Sequence, residues 1–184
     1  PVKTMRFDTL NKQSTVTDDT VLTMAVAEWM LDRKSISVSD SLIKWATLYP
    51  HAGYGSSFKR FLAEKKEMTP GSTHNGAAMR VSSVGFLADS LEECLALADE
   101  SARPSHGSPQ AVAAAQATAA AIYLARSGST KAEIRDYISD KFGYDLSRPY
   151  DQVRADVLHA RATKHIDYET SHERIVGAEP AVQD

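Results

Sequence analysis

Several features that the sequence lacks exclude whole classes of protein. Cys94 is the only cysteine, so the chain forms no internal disulfide, as is usual for proteins of reducing compartments. There is no run of about 18 apolar residues, so we expect no transmembrane helix. The N-terminus does not have the charged and then apolar pattern of a secretory signal. These absences together predict a cytoplasmic protein that does not span a membrane.

The chain also has no excess of positive charge. Its 21 Lys and Arg residues are outnumbered by 24 Asp and Glu residues, for a net charge of -3, and no basic patch indicates binding to nucleic acid. Apolar residues make up 42% of the 184 residues and charged residues 24%. This composition is typical of one globular domain with its own core.

Sustained alternation of apolar and polar residues, the mark of a strand, is absent, whereas helical spacing recurs along the chain. We therefore predict one all-α domain. The first helix is expected over about residues 20–31. The alanine-rich stretch 111–125 predicts a central, buried helix, because small side chains let neighbouring backbones approach. Other helix starts are predicted from capping residues: Ser39 with Asp40, Ser90 with Glu93, Ser108 with Pro109, and Thr130 with Glu133.

Thr17, Asp18, Asp19 and Thr20 lead directly into the apolar stretch 21–27. Two adjacent carboxylates between two hydroxyls make a dense set of hard oxygen ligands, which suit Mg²⁺, Ca²⁺ or Mn²⁺. The same residue types are favoured at helix N-termini, where they cap the first turn. This tetrad of residues alone leaves both interpretations open.

Three loops carry residues suited to a polar or charged ligand, at 17–19, 74–80 and 104–107. Helix N-termini that meet at one cleft bind anions, because their first N–H groups have no partner within the helix. Glycines such as Gly53 and Gly76 would let the backbone approach a phosphate or a ribose. The spacing of the loops does not show whether they meet.

Taken in order, these motifs resemble those of the ADP-ribosylglycohydrolase family. The resemblance covers roughly residues 2–154, and it implies an orthogonal bundle of helices around a two-magnesium cleft. It also implies cleavage of the glycosidic bond that joins ADP-ribose to a protein side chain or a small molecule. The segments that carry it are the tetrad, the glycine turn 51–55, the block 75–85, Ser105 with His106 before Pro109, and the alanine-rich stretch.

The resemblance further implies roles for individual residues. Thr17, Asp18 and Asp19 match the first half of the family's metal ligands. The metal would be magnesium, with manganese or no metal as alternatives because the site is incomplete. The residues that match contacts with ADP-ribose are Gly53, Tyr54, Gly55, Asn75, Gly76 and His106. An aromatic ring suits stacking, an amide and a bare backbone suit phosphate or ribose, and an imidazole suits a hydroxyl.

The chain departs from the family pattern at both ends. The family begins with a glycine-rich helix and a glutamate before the region equivalent to residues 2–4, and the nearest acid here, Asp8, does not match that glutamate. The family's late Asp-x-Asp-Thr/Ser motif is not found after Asp156. We therefore expect a reduced fold, with an N-terminal arm over 1–16, a helical core over 17–154 and a divergent C-terminal helix and tail over 155–184.

Two functions follow from these departures. One is a non-catalytic scaffold that binds a protein partner as inhibitor, adaptor or decoy, with ADP-ribose as a further ligand. The other is a magnesium-dependent hydrolase that removes ADP-ribose from modified proteins, completed by dimerisation or by another chain. Apolar surface left by missing helices predicts a protein partner or a homo-oligomer. A truncated reading frame would leave the same pattern.

The tail contains a rival set of metal ligands. His165, Glu169 and His172 are spaced so that they share one face of a helix. An ordinary solvated face with charge pairs is the commoner meaning of such a pattern.

Overall fold

The structure is a computed structural model that describes residues 15–65 and 72–162. All regular elements in these two stretches are helices, which confirms the all-α prediction. They are α1 (Asp18–Leu31), α2 (Val38–Leu48), α3 (Ser56–Glu64), α4 (Ser82–Leu87), α5 (Leu91–Ala102), α6 (Pro109–Arg126), α7 (Lys131–Phe142) and α8 (Tyr150–Ala162).

Helix α1 shows how the apolar pattern builds the core. Leu22, Ala25 and Trp29 recur at intervals of three and four residues, which places them on one face, and all three are buried. That face packs on α2, where Leu42 is fully buried, and on α4. Helix α6 in turn packs on α4, α5 and α7, so the bundle is organised around α1 and α6.

Helix α6 is the buried helix that its alanines predict. Six of its alanines are buried, and its backbone lies very close to α4. A Cβ added to Gly85 of α4 would lie 2.6 Å from the Ala119 carbonyl oxygen and 2.7 Å from Ile122 Cβ. Gly85 is therefore the residue that allows α4 to approach α6.

Most helix starts follow their predicted caps. The Ser108 hydroxyl accepts an amide of the first turn of α6, and Thr130 and Glu133 form the predicted capping box of α7. The predicted start of α2 is wrong by two residues, because its cap is Ser37, whose hydroxyl accepts the Asp40 amide at 3.1 Å. Helix α4 has only six residues and no side-chain cap, and the sequence pattern does not predict it.

No helix within 15–65 or 72–162 is long and apolar enough to cross a membrane, in agreement with the prediction. Several other predictions lie outside the described residues. They concern the arm up to residue 14, with Asp8, and the tail over 163–184, with His165, Glu169 and His172.

Candidate functional site

A cleft lies where the N-terminal ends of α1 and α3 meet the segment 72–79 and the loop before α6. Its volume is about 110 Å³, which is smaller than the range of about 300–1,000 Å³ common for small-ligand sites. The three loops singled out from the sequence therefore do meet. The predicted residues that line the cleft are Asp18, Gly55, Asn75, Gly76 and His106.

The start of α1 is held by backbone bonds rather than by a side-chain cap. Thr17 occupies the N-cap position, but its side chain accepts no bond from the helix. Its hydroxyl instead donates to Asp19 Oδ2 at 3.1 Å. The Asp18 amide donates to the Ala52 carbonyl at 2.8 Å, which ties α1 to the glycine turn. Helix capping by its side chain therefore does not explain why a threonine occupies position 17.

Asp18 is the carboxylate of the tetrad that lines the cleft. It is partly buried, while Asp19 is exposed. Burial, and then repulsion from the Asp19 charge, raise the pKa of Asp18. A divalent cation would relieve that repulsion, and hard carboxylate oxygens are the ligands that Mg²⁺ prefers.

The donor chemistry of the tetrad therefore fits a hard cation, but the number of donors is small. Among the described residues, no three His, Cys, Asp or Glu side chains lie close enough together to hold a metal. Thr17, Asp18 and Asp19 with added water could hold one ion weakly, since Mg²⁺ keeps several waters in protein sites.

Tyr54 does not line the cleft, although it matches a ligand contact of the family. Its side chain is buried, with 5% of the residue exposed, and its ring centroid lies 5.4 Å from that of Phe58. Its hydroxyl donates to the Tyr49 carbonyl at 2.9 Å. Burial, and then the Asp18 charge, raise the pKa of Tyr54. The neighbouring Gly53 also lies outside the cleft wall, and its φ of +92° is in the left-handed region that favours glycine.

His106 belongs to a buried hydrogen-bonded chain. Arg80 is fully buried, and its Nη1 donates to Ser105 Oγ at 3.0 Å while its Nη2 donates to the Ser101 carbonyl at 2.7 Å. Ser105 Oγ lies 2.8 Å from His106 Nδ1. Burial, then the charges of Arg80 and His74, lower the pKa of His106 to about 3, so its imidazole is neutral at physiological pH.

Gly76 lies directly against the His106 ring. A Cβ added to Gly76 would be 2.6 Å from both Cε1 and Nε2 of that ring. No side chain fits between the backbone at residue 76 and the imidazole. The absence of a side chain at Gly76 therefore allows the Nε2 edge of the ring to lie against the backbone of the cleft wall.

Helix α3 supplies the part of the cleft wall that sequence reasoning missed. Ser56, Ser57 and Phe58 line the cleft beside Gly55, which is the N-cap of α3. Gly55 has no side chain to cap the first turn, so it leaves the first N–H groups of the helix without a partner from the cap. The helical pattern after the glycine turn predicts α3 itself, but it does not show that these three residues line a cleft.

Ser72 fastens its segment to the loop before α6. Its amide donates to the Ser105 carbonyl at 3.0 Å, and the Ser108 hydroxyl donates to the Ser72 carbonyl at 3.1 Å. These long-range bonds bring His74 and Asn75 to the same cleft as His106. Nothing in the local sequence pattern of Ser72 indicates this role.

Comparison with known families agrees with the resemblance seen in the motifs. The model of the family described as ADP-ribosylglycohydrolase matches residues 2–182. The match therefore spans the whole described region, and it also includes residues 155–182, beyond the end of the resemblance read from the sequence.

Proposed function

The chain belongs to the ADP-ribosylglycohydrolase family, and on this premise we propose that it binds an ADP-ribosyl group in the cleft without hydrolysing it. It would act as an inhibitor, adaptor or decoy for a protein partner that carries the ADP-ribosyl group or competes for it. The observation that carries the proposal is the meeting of Asp18, Gly55, Asn75, Gly76 and His106 in one cleft.

The chemistry of the cleft wall suits a ribose and phosphate ligand. The uncapped first turn of α3 offers N–H groups of the kind that bind phosphate at helix N-termini. Asn75 offers an amide, and His106 offers a neutral imidazole. At Gly76 the bare backbone lets the imidazole lie directly against the cleft wall. These groups are mainly donors, and the oxygens of ADP-ribose are mainly acceptors.

Asp18 opposes such a ligand unless a cation lies between them, because a carboxylate repels a diphosphate. Thr17, Asp18 and Asp19 are the residues that would hold Mg²⁺ or Mn²⁺. When bound, the ion would supply positive charge for phosphate and ribose oxygens. We therefore expect the affinity for ADP-ribose to depend on a divalent cation.

The absence of hydrolysis in this proposal rests on the number of ligands. Two ions in catalytic geometry need more carboxylates than the described residues supply, since Asp18 lines the cleft and Asp19 is only its exposed neighbour in the chain. Loss of a general base alone lowers rates by about 10²–10⁴. A cleft with half of the metal site would bind the group more readily than it would cleave its bond.

A second candidate function is the magnesium-dependent hydrolase, completed by a second copy or another chain. The raised pKa of Asp18 favours it. Two adjacent carboxylates kept at the mouth of a ligand cleft repel each other, and a catalytic metal centre would give a reason to retain them. The two candidates share the same ligand and differ in turnover.

Calorimetric titration with ADP-ribose, with and without Mg²⁺, tests binding, and release of ADP-ribose from an ADP-ribosylated protein tests hydrolysis. Asp18→Asn removes the charge at constant size. Asp40→Asn is the matched control, because Asp40 lies in the first turn of α2 and does not line the cleft.

We expect binding that Mg²⁺ strengthens, loss of that strengthening in Asp18→Asn alone, and no turnover. Turnover that Asp18→Asn abolishes and Asp40→Asn retains would establish the hydrolase instead. Failure to bind ADP-ribose in either condition would refute both candidates.

A further inference from the structure

We propose that Arg80 is a positioning residue that acts through Ser105 to keep the proton of neutral His106 on Nε2, where it is donated to the ligand. The geometry of the buried chain from Arg80 to His106 carries this inference. The identity of the ligand as ADP-ribose rests on the proposed function.

The direction of the hydrogen bonds follows from what each group can do. A guanidinium has only donors, so Ser105 Oγ must accept from Arg80 Nη1 across their 3.0 Å contact. The hydroxyl has a single proton, and no acceptor other than His106 Nδ1, at 2.8 Å, is recorded for it among the described residues. When Ser105 donates to Nδ1, that nitrogen carries no proton, and the proton of the neutral ring is on Nε2.

The burial of Arg80 indicates that it does more than fill space. It is fully buried, and its Nε has no hydrogen-bond partner among the described residues. The described residues also give it no ion pair, and burying a cation without one is costly. Burial lowers the pKa of Arg80 to about 9, which still leaves it charged at pH 7.

That charge also affects the ring directly. Together with burial it lowers the pKa of His106, so the ring meets a ligand as a neutral donor and not as a cation. Its Nε2 lies against Gly76 at the cleft wall. Arg80 thus adds to the effect of burial in lowering the pKa of the ring and, through Ser105, fixes which nitrogen has the proton.

This arrangement selects the chemistry of the ligand. An N–H at Nε2 pairs with an oxygen acceptor, such as a ribose hydroxyl or a phosphate oxygen. It gives no bond to a group that has only donors at that position. The opposite tautomer would reverse this preference.

Nitrogen-15 NMR of the histidine rings reports the tautomer directly. In the full chain without ligand, we expect His106 to show a protonated Nε2 and an unprotonated Nδ1 at pH 7. A wild-type ring with its proton on Nδ1, or on both nitrogens, would overturn the proposal. This measurement needs no variant and no ligand.

Ser105→Ala removes the hydroxyl that links Arg80 to the ring. Ser41→Ala is the matched control, because Ser41 is also fully buried and also makes two hydrogen bonds, to Ala25 and Glu28, and none of these three residues lines the cleft. We expect Ser105→Ala to mix the His106 tautomers and to raise the Kd for ADP-ribose about threefold to tenfold. Ser41→Ala should change neither.

A structural role alone would give a different result. If both serine variants raised the Kd equally and left the tautomer unchanged, Ser105 would act through stability and the proposal would be wrong. If the wild type did not bind ADP-ribose, the proposed function would fail, while the ring spectra of wild type and Ser105→Ala would still decide whether the link through Ser105 sets the tautomer.

Discussion

Replacing Gly76 with alanine tests the contact on which the geometry of the cleft depends. The new Cβ would lie 2.6 Å from Cε1 and Nε2 of His106, whereas carbon atoms in contact are normally about 3.5–4.0 Å apart. The ring would have to retreat by about 1 Å. It cannot do so freely, because Ser105 holds its other side at 2.8 Å.

We expect Gly76→Ala to lower the free energy of unfolding by about 1–3 kcal/mol, the usual cost of overpacking a tight site. Urea denaturation measures this change. Displacement of Nε2 should also weaken its hydrogen bond to ADP-ribose, which corresponds to a rise in Kd of about threefold to tenfold. Calorimetry measures that second effect on the same samples.

The control is the same substitution in a His106→Ala background. Without the imidazole there is nothing for the new methyl group to clash with, so Gly76→Ala should then cost much less, and the two changes should be strongly non-additive. An equal loss of stability in both backgrounds would show that the contact between Gly76 and the ring does not exist as described.

Three further predictions concern the scaffold. Gly85→Ala should lower the free energy of unfolding by about 1–3 kcal/mol, because its Cβ would meet the backbone of α6 at 2.6 Å; an unchanged urea midpoint would contradict that close packing. Thr17→Ala should cost little stability because Thr17 makes no cap bond, whereas Thr130→Ala should cost about 0.5–2 kcal/mol; equal losses would restore the capping interpretation of the tetrad. Because the folded pKa of His106 is about 3 against an ordinary 6.5, the unfolded chain binds a proton that the folded chain does not. Stability should therefore fall as the pH drops from 6.5 towards 3, by up to about 1.4 kcal/mol per pH unit, and His106→Gln should remove that part of the slope.

The helices that the sequence predicts are those whose signals are local. Thr130 and Glu133 lie on the same turn, and their capping box forms as predicted. Helix α4 has no such signal, because Val81 at its N-cap offers no side-chain bond and Gly85 interrupts its six residues. Its helical state depends on packing against α6, and no local sequence pattern indicates that packing.

The candidate site, like the helices, is predicted in part by the sequence and in part only by the packing. Motif order predicts that Asp18, Asn75, Gly76 and His106 act together, and the fold brings them into one cleft. The position of Tyr54 depends on α3, because its ring packs against Phe58 of that helix. A tyrosine in a glycine-rich turn looks exposed in the sequence, so only the packing shows that it is buried.

The charges around the cleft explain why we expect the affinity for ADP-ribose to depend on a divalent cation. One wall carries Asp18, partly buried and repelled by Asp19, and the other carries a neutral His106 in front of the buried Arg80 cation. Arg80 is too deeply buried to contact a ligand, so it cannot offset the Asp18 carboxylate by pairing with a diphosphate. The described residues that line the cleft include no Lys or Arg, so we expect a cation from solution to take that place. ADP-ribose should therefore bind with an affinity that rises with Mg²⁺ in the wild type, and with a smaller dependence in Asp18→Asn, whether or not the bound group is ever cleaved.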